Sequence, residues 1–184
     1  INTGINDMQV IKTIVITLLL SLSVLSLAED TAGESYVSNA QSFFLIENVN
    51  RQAEAWATCS AVWDIMAQLS LANGGSKSEI EQYSNMGNGA KMAVAMSFFS
   101  DAISEDNVDR SRISATWRFA QTATKSMPEV QMTRILADLE SKGMEAWFPD
   151  FGATMRVCTD NLEGQQAHVD GWRALATSGL LKYE

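Results

Sequence analysis

The stretch Gln52-Ala-Glu-Ala-Trp-Ala-Thr-Cys59-Ser-Ala-Val-Trp63 decides the fold when it is set beside Val157-Cys158-Thr-Asp-Asn-Leu-Glu-Gly-Gln-Gln166. In the first, large residues recur at alternating gaps of four and three: Leu45, Val49, Gln52, Trp56, Cys59, Trp63, Met66 and Ser70, with Ala53, Val62 and Leu69 widening the stripe. That is the period of an amphipathic α-helix with its cysteine on the buried face. The second repeats the pattern as Phe151, Met155, Cys158, Leu162, Gln165, Val169, Trp172 and Ala176. No stretch after Ala28 alternates with the two-residue period of a strand, so the fold class read here is all-α. The architecture expected is a single bundle of about five helices over residues 40–184, with two long helices joined by a disulfide between Cys59 and Cys158.

Helix boundaries follow from local chemistry. Asn73, Gly74 and Gly75 end a first helix expected from about Ala40. Ser76 with Glu79 makes a capping box for a second helix reaching about Ile103. A third runs from about Val108 to Lys125. Ser126, Pro128 and Glu129 open a fourth that Gly143 closes, and Pro149 suits the first turn of a last helix ending near Gly179. Gly87 and Gly89 each cost ~1 kcal/mol of helix propensity relative to alanine. Close approach of another helix is the expected reason, with a backbone surface left open for a ligand as the alternative; the Gly164 and Gly171 face of the last helix is the expected counterpart of the Gly87 and Ala90 face, or else a groove for a partner helix. If the two long helices run antiparallel in the disulfide's register, Gln52 and Gln165 form a buried amide pair, Leu45 meets Trp172 and Met66 meets Phe151.

The chain has 184 residues, 46% of them hydrophobic and 19% charged, with two prolines. That suffices for a real core and excludes disorder and a polytopic membrane protein. The net charge of -9 excludes nucleic acid as the expected partner, since neutralising phosphates takes clustered Lys and Arg. The first residue is Ile1, so residues 1–7 are read as upstream of Met8 and as not native. Residues 8–28 read as a signal peptide: Lys12, an uncharged apolar run from Thr13 to Leu27, and Ser26 and Ala28 three and one positions before the cut. The run is shorter than the ~20 residues of a spanning helix. No membrane association is expected after cleavage. Residues 29–39 read as a flexible lead. Export to a periplasmic or secreted location makes pairing of Cys59 with Cys158 the expected state. The bridge closes a loop of 99 residues, for which chain entropy gives ~4.7 kcal/mol.

No residue is assigned a catalytic role and none a metal-binding role. The chain's one histidine, His168, would have to serve any Ser-His-Asp or Cys-His device, while both thiols are committed to the bridge. No Cys-x-x-Cys-His occurs, so covalent haem attachment is excluded. Two cofactor readings remain as alternatives. One is haem b held by His168 and a methionine, which resembles the small b-type cytochromes in general plan. The other is copper(I) held by thioethers such as Met92 and Met96. A third alternative is an envelope-polymer hydrolase using two carboxylates; Glu54 and Glu163 flank the helix pair, but neither is singled out from the many acids. Methionines and tryptophans at helical spacing are core formers first. The primary expectation is therefore a cofactor-free, non-enzymatic binding or accessory module that meets another envelope protein. Its possible interaction surface is Trp147 and Phe148, taken as an exposed pair in a connection, together with His168.

Overall fold

The computed structural model describes residues 33–37, 42–104, 109 and 112–181; the segment read as a signal peptide, the residues before it and residues 105–108 lie outside them. The described residues form helices and no strand: α1 (Val49–Ala72), α2 (Lys77–Ser104), α3 (Ile113–Thr124), α4 (Met127–Lys142), α5 (Met144–Asp160) and α6 (Leu162–Thr177), with a short 3-10 turn at Phe43–Leu45. The expected all-α bundle with Cys59 bonded to Cys158 is the fold. None of these helices is long and apolar enough to cross a membrane.

α1 and α2 form a central hairpin. α4 and α5 pack on the α1 side, while α3 and α6 pack on the α2 side. α1 is the axle: residues 55–63 are all buried. This helix is covered nearly all round at its middle, which is why it carries Ala55, Ala57, Ser60 and Ala61 between its tryptophans, with no charge from Ala55 to Trp63. Trp56 and Trp63 are 1% exposed. At 150–250 Å² each, their burial contributes on the order of 4–6 kcal/mol apiece. The main core continues through Phe43, Val62, Val94, Ile135, Trp147 and Phe151. A second cluster of Met96, Phe99, Trp117, Ala120 and Leu181, with Trp172 against it, fastens α3 and α6 to α2.

Several boundaries move from their sequence-based positions, each for a visible reason. α1 starts at Val49, not near Ala40, because the Asn48 side chain accepts the Arg51 amide and caps the helix there. Leu45 consequently leaves the seam and lies 66% exposed in the 3-10 turn. Ser76 caps α2 through its hydroxyl, which accepts the Glu79 amide at 3.2 Å. Ser126 does not cap α4; its own backbone is helical (φ -89, ψ -10), so the chain turns from α3 into α4 within two residues. Gly143, at φ +76, ends α4 and lets α5 begin immediately. Pro149 therefore falls inside α5 rather than in its first turn. It leaves one helical carbonyl without its usual amide donor.

The expected last long helix is divided at Asn161, which separates α5 from α6. Asn161 is 5% exposed. Its Oδ1 accepts the buried Phe43 amide at 2.9 Å, and its Nδ2 donates to the Val157 carbonyl at 2.9 Å. The break thus also holds the 3-10 turn against the bundle. Past it α6 leans from α1 toward α2. Contacts descend along α1 as they ascend along the last two helices: Cys158 bonds Cys59, Gly164 lies against Trp56, and His168 meets Trp56 and Phe44. The direction is the antiparallel one, with a different register of side chains. Trp172 joins the second cluster instead of meeting Leu45.

The residues expected as a flexible lead are held down over 33–37. Val37 is 6% exposed and packs into the main core, and the Tyr36 amide donates to Thr154 Oγ1 at 2.9 Å. An aromatic and a β-branched residue within an otherwise polar stretch anchor it.

Two stability outcomes follow. Replacing both Cys59 and Cys158 with alanine lowers the unfolding free energy by about 2–5 kcal/mol in urea titrations, the range for native disulfides closing long loops. Reductant should lower the wild type toward the same value and leave the double variant unchanged. Asn161→Ala strands the buried Phe43 amide and costs about 1–3 kcal/mol in the same assay.

Candidate functional site

His168 projects from α6 into an aromatic corner. Its ring centre lies 4.8 Å from that of Phe44 and 5.6 Å from that of Trp56, the latter edge-on at 90°. Gly164, one turn earlier, makes room: a Cβ there would lie 3.0 Å from Phe44 and 3.5 Å from Trp56. His168 is 7% exposed, so it is not part of an exposed surface as expected. The Nε2 atom is buried with no hydrogen-bond partner among the described residues. Burial alone pulls its pKa from 6.5 down to about 4 and holds the imidazole neutral.

The other two members of the expected surface separate. Trp147 is 2% exposed, stacked on Phe151 at 4.4 Å, and its indole N–H donates to the Ile135 carbonyl at 3.1 Å. It is buried because α5 begins at Met144, which places this position in a helix against α4 and not in a connection. Phe148 is 45% exposed on that helix.

No hydrogen bond joins Gln52 to Gln165. Gln52 Nε2 donates to the Phe43 carbonyl at 2.9 Å, tying α1 to the 3-10 turn. Gln165 follows α6 toward α2 and lies against Gly89, where a Cβ would collide with its amide. Gly87, Gly89 and Gly164 are thus used in close packing, each against its own neighbour. Gly87 faces Trp63 and Asp64, while Gly171 faces Met96. The single glycine-to-glycine face is not formed.

Two features not legible in the sequence define the surface. The first is a cleft of about 510 Å³ between α2 and α4, floored by Met92, Ala95, Trp117 and Met132. It exists because α3 packs on α2 and the chain then turns into α4, which packs on α1, while α2 and α4 scarcely touch. Asn88, Lys91, Met92 and Ala95 are one face of α2, and Trp117, Gln121 and Thr124 one face of α3, with Lys125 just past its end. The rim carries both signs of charge: Lys91 is paired with Asp64 at 2.8 Å, and Lys125 and Glu129 stand beside them.

The second is the seat of residues 33–37 on α4 and α5. Asp150 Oδ1 accepts the Glu34 amide at 2.8 Å, and Thr154 Oγ1 accepts the Tyr36 amide. The Tyr36 hydroxyl donates to Asp138. Lys142 bridges Asp138 at 3.0 Å and Asp150 at 2.9 Å. Burial, then the Asp138 carboxylate, pushes the Tyr36 phenol well above its usual range, so it remains a donor. Its hydrogen bond, followed by Lys142, holds Asp138 below the usual carboxylate range. Lys142 is raised by its bonds to Asp150 and Asp138.

The buried imidazole makes stability depend on pH in a defined window. Below 6.5 the unfolded chain takes up a proton that the folded chain refuses until about 4, so stability falls as the pH drops between these values. Between about pH 7 and pH 5 the wild type should lose about 2 kcal/mol of unfolding free energy through this residue. His168→Phe should remove that part of the slope in denaturant titrations at the two pH values.

Compared with known protein families, curated proteins and solved structures, the chain matches none.

Proposed function

We propose that this chain is an exported module that works by binding another envelope protein, with the cleft between α2 and α4 as its binding face. The observation that carries this reading is the composition of the cleft: Met92, Ala95, Trp117 and Met132 under a rim of Lys91, Lys125, Asp64 and Glu129. An apolar floor with a few polar groups of both signs is the make-up of a recognition site. It suits an apolar side chain flanked by charged neighbours, with the methionines adapting to its shape. The disulfide is in keeping with an oxidising compartment, and the leader before Glu29 has the make-up of an export signal.

A photoreactive phenylalanine analogue placed at Gln121 on the rim, in cells producing the full-length chain, tests the reading. The expected result is one discrete adduct from the periplasmic fraction, absent when the analogue sits at Leu71, which is 66% exposed outside the cleft. The adduct should also disappear when Ala95→Trp fills the floor. No adduct, or one indifferent to the filling, overturns the proposal. Intact mass of the recovered protein should correspond to a chain beginning at Glu29 with both cysteines oxidised.

A further inference from the structure

The seat of residues 33–37 has the layout of a peptide-recognition groove. Two amides at alternate positions of the segment, those of Glu34 and Tyr36, are read by Asp150 and Thr154, which stand one helical turn apart on α5. The Thr154 hydroxyl is oriented for this, since it donates to the Asp150 carbonyl at 2.8 Å and so offers its lone pair outward; the residue is fully buried. Backbone amides exist in any peptide, so these two bonds supply attachment without sequence preference. Preference comes from three other places. Gly33 lies directly on the Pro149 carbonyl and the Asp150 amide, where any Cβ would collide with backbone. The Tyr36 hydroxyl is taken by Asp138, whose position Lys142 fixes. Val37 enters an apolar socket of the main core.

The hold is also of a kind that releases. Glu34 is exposed, and of these five residues only Val37 is fully buried. A segment with one fully buried apolar residue, an exposed bond at Glu34 and part-buried bonds at Tyr36 opens locally at lower cost than global unfolding.

We propose that the groove on α4 and α5 binds a short segment of a partner protein carrying the pattern Gly-x-x-Tyr-Val, and that residues 33–37 occupy it in cis as a displaceable strap. This site is separate from the cleft between α2 and α4 and stands or falls independently of it. In this arrangement the strap is at high effective concentration and suppresses binding until a competing segment displaces it.

The test uses the mature chain with Gly33→Val. The substitution leaves every groove residue untouched and sets the strap against rigid backbone. The probe is a fluorescein-labelled peptide, Thr-Ala-Gly-Glu-Ser-Tyr-Val-Ser-Asn, the sequence of residues 31–39. In fluorescence anisotropy, the variant should bind the peptide saturably and at least about 10-fold more tightly than the wild type, whose own strap competes. A peptide with valine in place of the glycine should bind neither protein. Tyr36→Ala frees the strap at its other anchor and should give the same gain, which keeps the test decisive if Gly33→Val alters the far-ultraviolet circular dichroism. Folded variants that bind no peptide, or that bind it no better than the wild type, overturn the proposal and leave the strap a purely structural element.

Discussion

The structure depends on one helix being surrounded. Over residues 55–63, α1 has no solvent-facing side, so every neighbour must come close to it and every position must be small, apolar or bonded. Alanines let α2 approach, Gly87 admits the Trp63 and Asp64 side of α1, and Gly164 admits Trp56. Cys59 is part of the same constraint. Its bond to Cys158, with a Cα separation of 5.4 Å, fixes α5 to the axle where large side chains are densest. A cross-link closing a 99-residue loop restricts mainly the unfolded chain.

How well the sequence could be read follows from where the information lies. Helix class, the chain reversals at Gly74 and Gly143, the Ser76 cap and the disulfide are local or pairwise properties, and each follows from a few adjacent residues or from two thiols. The amide pair does not form because its inference required a register over fourteen residues of two helices, and one residue, Asn161, redirects the second. Asn161 followed by Leu162 reads as ordinary helix in the seven-residue pattern; only its bond to the Phe43 amide, far away in sequence, shows the break. Asn48, by contrast, was a legible cap that the longer apolar pattern from Leu45 concealed.

The candidate sites were less legible than the fold, for a physical reason. A seam is marked by apolar residues at a fixed period, but a cleft arises where two helices fail to meet. Met92, Trp117 and Met132 look alike as core formers in the sequence, and they line a surface only because α3 packs on α2 while α4 packs on α1. Trp147 shows the converse. Beside Pro149 it has the local look of an exposed corner, yet its indole finds the Ile135 carbonyl once α5 starts at Met144. His168 likewise sits one position from an apolar seam residue, and the lean of α6 carries it inside.

The two surface features share a wall. On α4 the core stripe is Gln131, Ile135 and Leu139, all buried. Pro128, Glu129 and Met132 face the cleft, and Arg134, Asp138 and Ser141 line the strap groove. One helix therefore presents one flank to each feature, while the stripe between them is fixed by Ile135 at 0% exposure and by the Trp147 indole. A close-packed stripe of this kind moves as a unit or not at all. Rotation of α4 that widened the groove would turn Met132 relative to Trp117 and change the cleft. The bundle keeps both shapes because Trp147 and Phe151 hold α4 to α5, and the Cys59–Cys158 bond holds α5 to α1.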